Sequence, residues 1–306
     1  MTAAAKSKMQ QPPEQTAVET AAKPAKAGAV VALPRKSKPP LLSGDLVRGA
    51  LHTAAVIIPP LVVVLLLGLI WELGSPATGG LPRPSTIWLE SKDLILDPFF
   101  DRGGVDKGLG LHVLTSLSRV AVGYGFAALV GIALGVLVGQ SLTAHRGLDP
   151  IFQVLRTVPP LAWLPISLAM FQQAQPSALF VIFITSIWPI LINTAVGIRN
   201  IPQDYRNVSR VLRLSPYRHF VLIMLPAATP YIFTGLRIGI GMAWLAIVAS
   251  EMLLGGVGVG FFIWDQYNSG RIADIVVALA WVGLVGFALD RVVAGIGKLV
   301  ARGSSN

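Results

Sequence analysis

"RNVSRVLRLSPYRHFVLIMLPAA", residues 206–228, sits apart from a chain otherwise built of long Val, Leu, Ile, Gly and Ala runs: arginines crowd its first half and it closes on Leu225-Pro226. The spacing predicts two helices. Asp204 is an N-cap residue, and Tyr205, Val208, Val211 and Leu212 recur three or four apart to form one apolar face. Arg206, Arg210 and Arg213 fall on another face by the same arithmetic. Ser215 before Pro216 is a second N-cap with proline at the first helical position, so a new helix starts there at an angle to the first. Taken alone, the pattern is that of a short amphipathic helix, solvated or lying at a lipid interface.

The rest of the chain supplies the lipid. Only 13% of the residues are charged while 53% are apolar, against roughly 25% charged in an ordinary soluble domain. Zero cysteines exclude structural disulfides, thiolate metal sites and cysteine nucleophiles. Residues 1–47 are rich in Ala, Lys, Pro and Gln without apolar periodicity, the composition of a disordered tail. No apolar h-region follows the first lysines, so no signal peptide is expected.

Apolar runs of roughly 17 to 25 residues mark spans, and six qualify: Ala54–Leu73, Leu117–Gly139, Ile151–Phe171, Ser177–Ile198, Ala227–Leu254 and Ile275–Ile296. The expected architecture is all-α and polytopic: a transmembrane domain over 48–300, a polar loop at 199–226 and a short tail at 301–306. In the third span, Pro159, Pro160 and Pro165 each remove a backbone donor. Such prolines survive where the freed carbonyls line a cavity. The second span places Gly131, Gly135 and Gly139 four apart, a small-residue seam for close helix packing.

The formal charge of +10 follows from topology. Basic residues gather in the tail, at Arg146, in the five arginines from Arg199 to Arg218, and at Lys298 and Arg302; in the loop between the first two spans, acidic residues outnumber basic ones. The positive-inside rule puts both termini and the 199–226 loop in the cytoplasm. No nucleic acid is needed to explain the charge.

The opening stretch also resembles the cytoplasmic signature of binding-protein-dependent ABC importer permeases: Glu-Ala-Ala, three residues, Gly, nine residues, Ile-x-Leu-Pro. Asn207, Val208 and Ser209 stand at the first block, Arg213 at the glycine, and Ile223, Leu225 and Pro226 at the close. The spacing is kept throughout. With arginine in place of glycine, the first helix is expected to run on to Leu214 before Ser215 and Pro216 break it. Further on, "LPAATPYIFTGLRIGIGMAWLAIVASEMLLGGVGVGFFIWDQYNSG" (225–270) resembles the fifth span and following loop of the nitrate transport permeases, a branch shared with bicarbonate, cyanate and sulfonate importers. "SLSRVAVGYGFAALVGIALG" and "LRTVPPLAWLPISLAMF" match that branch in the usual order.

The resemblance implies a type I ABC importer permease in the bacterial inner membrane, importing nitrate and nitrite. It would work as a homodimer with two ATPase subunits and a periplasmic binding protein. The helix Asp204–Leu214 becomes a coupling helix seated in a groove of the ATPase, where its arginines serve as contacts or only as topological markers. Bicarbonate, cyanate or a sulfonate is the alternative cargo, and an ion-coupled carrier the alternative machine.

No G-x-x-x-x-G-K-[ST] occurs, so no cofactor is expected on this chain; ATP and magnesium belong to the partner subunits. "GGVGVGFF" from Gly255 reads as a flexible outer loop or gate. The four histidines show no metal spacing. Charges inside spans point to function or pairing. Arg237 is a candidate for the path, or a partner for Asp290; Glu251 lies level with Arg119, and a pair is expected there. Arg156 could line the inner mouth; Trp163, Trp188 and Trp244 inside the spans suit packing, with Trp163 beside Pro165 the better gate candidate and Trp244 a further candidate for the path.

Overall fold

The computed structural model describes residues 44–75 and 80–303, and it is helical nearly throughout. Among the described residues there is no strand beyond an isolated bridge between Asp101 and Lys107. The proposed tail at 1–47 lies almost entirely outside the described residues. The chain divides into two units at Pro60, and the second, from Leu61 onward, contains the helical bundle.

The helices are α1 (Gly44–Gly74), α2 (Pro84–Leu96), α3 (Leu109–Gln140), α4 (Leu142–Leu155), α5 (Trp163–Phe171), α6 (Ala174–Arg199), α7 (Gln203–Val211), α8 (Pro216–His219), α9 (Leu225–Leu254), α10 (Val259–Asn268) and α11 (Ile272–Gly303). Among the described residues, four stretches are long and apolar enough to cross a membrane: Leu109–Gln140, Ala174–Arg199, Pro216–Leu254 and Ile272–Ala301. The first expected span meets a shorter apolar helix, Ile58–Gly74. The expectation of a single kinked span over 151–171 gives way to two pieces, Leu142–Leu155 and Pro160–Phe171, bent by 90°. Pro159 and Pro160 supply no N–H where the turn would continue, and each restricts the residue before it.

α6 is the central helix. The seam expected on α3 packs against it: a Cβ on Gly131 would lie 3.1 Å from Ile190, and one on Gly135 would lie 2.6 Å from Thr194. Gly123 and Gly139 meet Ile182 and Ile198 in the same way, while Gly125 faces open space. On the opposite side, Gly235 and Gly239 of α9 close onto Pro189, Ile190 and Ser186. Small residues on α3 and α9 thus let three backbones approach where packing has to replace the hydrophobic effect.

A second layer fixes the end bearing the α9–α10 turn. α10 packs on α9 and α11, and α2 lies on α11 with Ile87, Ser91 and Leu94 buried. Ser85 at the start of α2 donates to Glu72 of α1 through both its hydroxyl (2.7 Å) and its N–H (3.0 Å). In the polar loop between α2 and α3, the Lys107 ammonium donates to Asp101 and, with the Gly103 N–H, holds that carboxyl below the usual carboxylate range.

Candidate functional site

The loop quoted at the outset folds as two helices joined by a tight turn. α7 is capped by the backbone at Pro202, not by Asp204, which sits inside the first turn and offers its charge to the helix dipole there. The helix does not run on to Leu214. It ends at Val211 because Arg213 adopts a left-handed conformation, φ 48°. The Leu214 N–H then reaches the Ser209 carbonyl (3.1 Å) and the Arg213 N–H the Arg210 carbonyl (3.1 Å). This is the Schellman arrangement, which glycine ordinarily closes. Arginine occupies it at a cost of about 1 kcal/mol. Ser215 caps α8 by accepting from the Arg218 N–H, with Pro216 at the first position as the sequence predicts. A π-helical turn, Phe220–Met224, then carries the chain into α9.

The apolar face of α7 has no cover in the isolated chain. Tyr205, Val208, Val211 and Leu212 are all exposed, Val211 by 81%, whereas Ser209 is buried. Asn207, Arg210 and Arg213 are exposed as well. Beneath the helix lies a cavity of 460 Å³ bounded by Ser209, Arg210, Leu214, His219 and Met224 with the ends of α3 and α6.

At the far end of α9, Glu251 is the centre of a closed polar network. Its carboxylate, 1% exposed, accepts from Arg119 Nη1 (2.6 Å), Ser116 Oγ (2.7 Å) and the Gly260 N–H (3.1 Å). Arg119 also donates to the Val257 carbonyl (2.8 Å). Ser116 accepts from the Val259 N–H (3.0 Å), and His112 Nδ1 meets the backbone of Gly258. The expected Arg119–Glu251 pair is therefore present, and it anchors the end of the turn at Gly258, while Gly256 at the tip stays exposed with open space around it. A Cβ on Gly258 would fall on the Glu251 carboxylate and one on Gly260 on the Val248 carbonyl. With Arg119 paired to a buried carboxylate and the Gly258–Gly260 backbone bonded to the same group of side chains, this network works as a clamp. Sequence reading paired two of its members and missed His112, Ser116 and the glycines. The signal was available: His112, Ser116 and Arg119 stand four and three apart, a polar line on an apolar helix.

The path candidates separate. Arg237 pairs with Asp290 of α11 in a fork, Nε–Oδ1 2.9 Å and Nη2–Oδ2 2.8 Å. Both side chains remain open, 49% and 37% exposed. Trp244 is buried between α9 and α11, its N–H donating to the Val282 carbonyl (2.9 Å). Arg156 and Trp163 lie together beside the α4–α5 break, lining a cavity of 130 Å³ with Thr185 and Trp188.

The sequence profile of the binding-protein-dependent transport system inner membrane component family matches residues 127–305. The chain belongs to this family. Among curated relatives of these inner membrane components, the nitrate import permease NrtB of Synechocystis sp. is 57% identical over 268 residues, covering 87% of this chain and 94% of its own. The bicarbonate transport permease CmpB of the same organism is 54% identical, covering 81% and 90%. The putative aliphatic sulfonates transport permease SsuC of Bacillus subtilis is 32% identical, covering 76% and 80%. Among solved structures, the inward-facing MetNI methionine ABC transporter superposes with a TM-score of 0.50 at 20% identity, over 61% of this chain and 95% of that one. That likeness establishes the fold of an ABC importer permease. The chain is a multi-pass membrane permease subunit, and the ion-coupled carrier is set aside.

Proposed function

We propose that this permease carries nitrate, and nitrite, across the bacterial inner membrane, with both termini and α7 on the cytoplasmic side. The observation that carries the cargo is the 57% identity to a nitrate import permease across 87% of the chain. Two ATPase subunits hydrolyse ATP with magnesium, a periplasmic binding protein delivers the anion, and a second copy of the chain completes the path. α7 is the coupling helix. Its exposed Tyr205, Val208, Val211 and Leu212 seat in the ATPase groove with Asp204 and Asn207 on the same helix; Ser209 and Leu214 close the turn that aims it; and Arg206, Arg210 and Arg213 supply positive charge for an acidic rim.

In this reading the Arg237–Asp290 pair faces water or the second copy, because a half-exposed ion pair in apolar helices is costly against lipid. Arg156 and Trp163 line the path at the α4–α5 break, and Trp244 braces α9 against α11 behind it. Bicarbonate is the second reading, favoured by the 54% identity to CmpB. A ligand screen on the cognate binding protein separates the two. Tighter binding of nitrate than of bicarbonate or taurine is expected, and the reverse order would overturn the cargo.

A further inference from the structure

Several helical hydroxyls in this bundle bond back to their own helix. Thr194 donates to the Ile190 carbonyl (2.7 Å), Thr229 to Leu225 (2.8 Å), Thr234 to Pro230 (2.9 Å) and Ser186 to Ile182 (2.6 Å). Thr185 does not: it is 5% exposed and its Oγ1 has no hydrogen-bond partner. Trp188, nearly one turn along α6, likewise holds a buried indole N–H without a partner, whereas the Trp244 N–H is satisfied. Buried polar groups are nearly always bonded; Trp71, Ser91, His112, His219, Gln266 and Asp274 also hold an unpartnered atom, but Thr185 and Trp188 stand together in one cavity free of carboxylates, which suits a ligand.

Both line the 130 Å³ cavity at the α4–α5 break, together with Arg156, Trp163 and Met242. Its polar side chains are donors: an indole N–H and a guanidinium donate only, and a threonine hydroxyl has one hydrogen to give. Thr157 turns its hydroxyl to the Val154 carbonyl (2.7 Å) and takes no part, and no carboxylate lines the cavity. Thr185 lies near the middle of α6, roughly 16 Å from its start at 1.5 Å per residue. Prolines converge at this level. Pro159 and Pro160 open the backbone on one wall, and Pro189 withdraws the N–H that would bond the Thr185 carbonyl on the other. Irregular backbone at membrane depth persists where it lines a cavity. At about 30 Å³ per water, the space takes roughly four waters, or a four-heavy-atom anion with a little solvent.

We propose that the Thr185 hydroxyl, the Trp188 indole N–H and the Arg156 guanidinium form a binding site, midway through the membrane, for a planar monoanion of three oxygens, the chemistry that nitrate and bicarbonate share. The site rests on the importer reading above. Three donors hold the anion loosely enough for it to move on.

The test is uptake of 15N-nitrate into proteoliposomes holding the full chain with its ATPase subunits and binding protein. Thr185→Val keeps shape and Trp188→Phe keeps an aromatic ring; each removes one donor. Each is expected to lower uptake about tenfold, the worth of a hydrogen bond to a charged group, with the complex recovered at wild-type yield. Thr185→Ser is expected to restore it. Wild-type uptake in both variants, or a loss at Thr185 that serine does not rescue, overturns the site. A wild-type complex that carries bicarbonate and not nitrate overturns the cargo alone, and the same variants, assayed with 13C-bicarbonate, then decide the site.

Discussion

Glu251 and Arg119 neutralise each other at the rim of the bundle, and the value of the pair lies in what its loss leaves behind. Replacing a buried ion pair by apolar residues is often harmless, but removing one partner strands the other. Glu251→Ala is therefore expected to destabilise the protein by about 3 kcal/mol, read as a fall in the melting temperature of the purified chain, with the turn 255–258 released. An unchanged melt would mean the carboxylate is not the clamp. Arg213 supplies a second residue-scale expectation. Glycine at that left-handed position should be tolerated or slightly stabilising, since it removes a strain of about 1 kcal/mol. A β-branched residue is worse placed there than arginine, so Arg213→Val is expected to melt earlier than Arg213→Gly. Equal melting of the two would contradict the turn. Sequence reading missed this turn for a physical reason. Intrinsic preference argues against arginine at positive φ, and what overrides it is the pair of hydrogen bonds back to Ser209 and Arg210, which no local pattern announces.

Among the elements, those with a clear period were legible and those held by tertiary contact were not. The glycine seam of α3 was visible as spacing alone, and it packs where spacing places it, against Ile182, Ile190, Thr194 and Ile198. The prolines at 159 and 160 announced a break, but their sequence carries no angle, so a kink was expected where the chain turns by 90°. α10 was hidden because its glycine-rich start reads as loop; it is a helix because Val259 and Phe262 are buried and Gly260 lets it close onto α9. α7 offers the decisive test at this scale. Leu212 is 63% exposed, so Leu212→Glu leaves the fold intact. It is expected to abolish co-purification of the ATPase while the variant melts at the wild-type temperature. Undiminished co-purification would contradict the assigned face.

At the scale of the whole molecule, the outer surface of the bundle is apolar. Leu61, Val64 and Leu65 of α1, Leu129 and Leu137 of α3 and Leu284 of α11 all point outward, an apolar surface that suits lipid. The Arg237–Asp290 pair does not suit lipid, and it separates structural from path roles. Arg237→Ala is expected to slow nitrate uptake with the complex still assembled, because a bare Asp290 then repels the anion. If pairing is all that matters, the exchange Arg237→Asp with Asp290→Arg restores the rate; if the path needs a cation at position 237, it does not. The central claim is that ATP closes the machine through α7. It is tested most directly by nitrate uptake in proteoliposomes assembled with and without the ATPase subunits. Uptake that requires the ATPase, ATP and loaded binding protein together is the predicted result; uptake at full rate without the ATPase would contradict it.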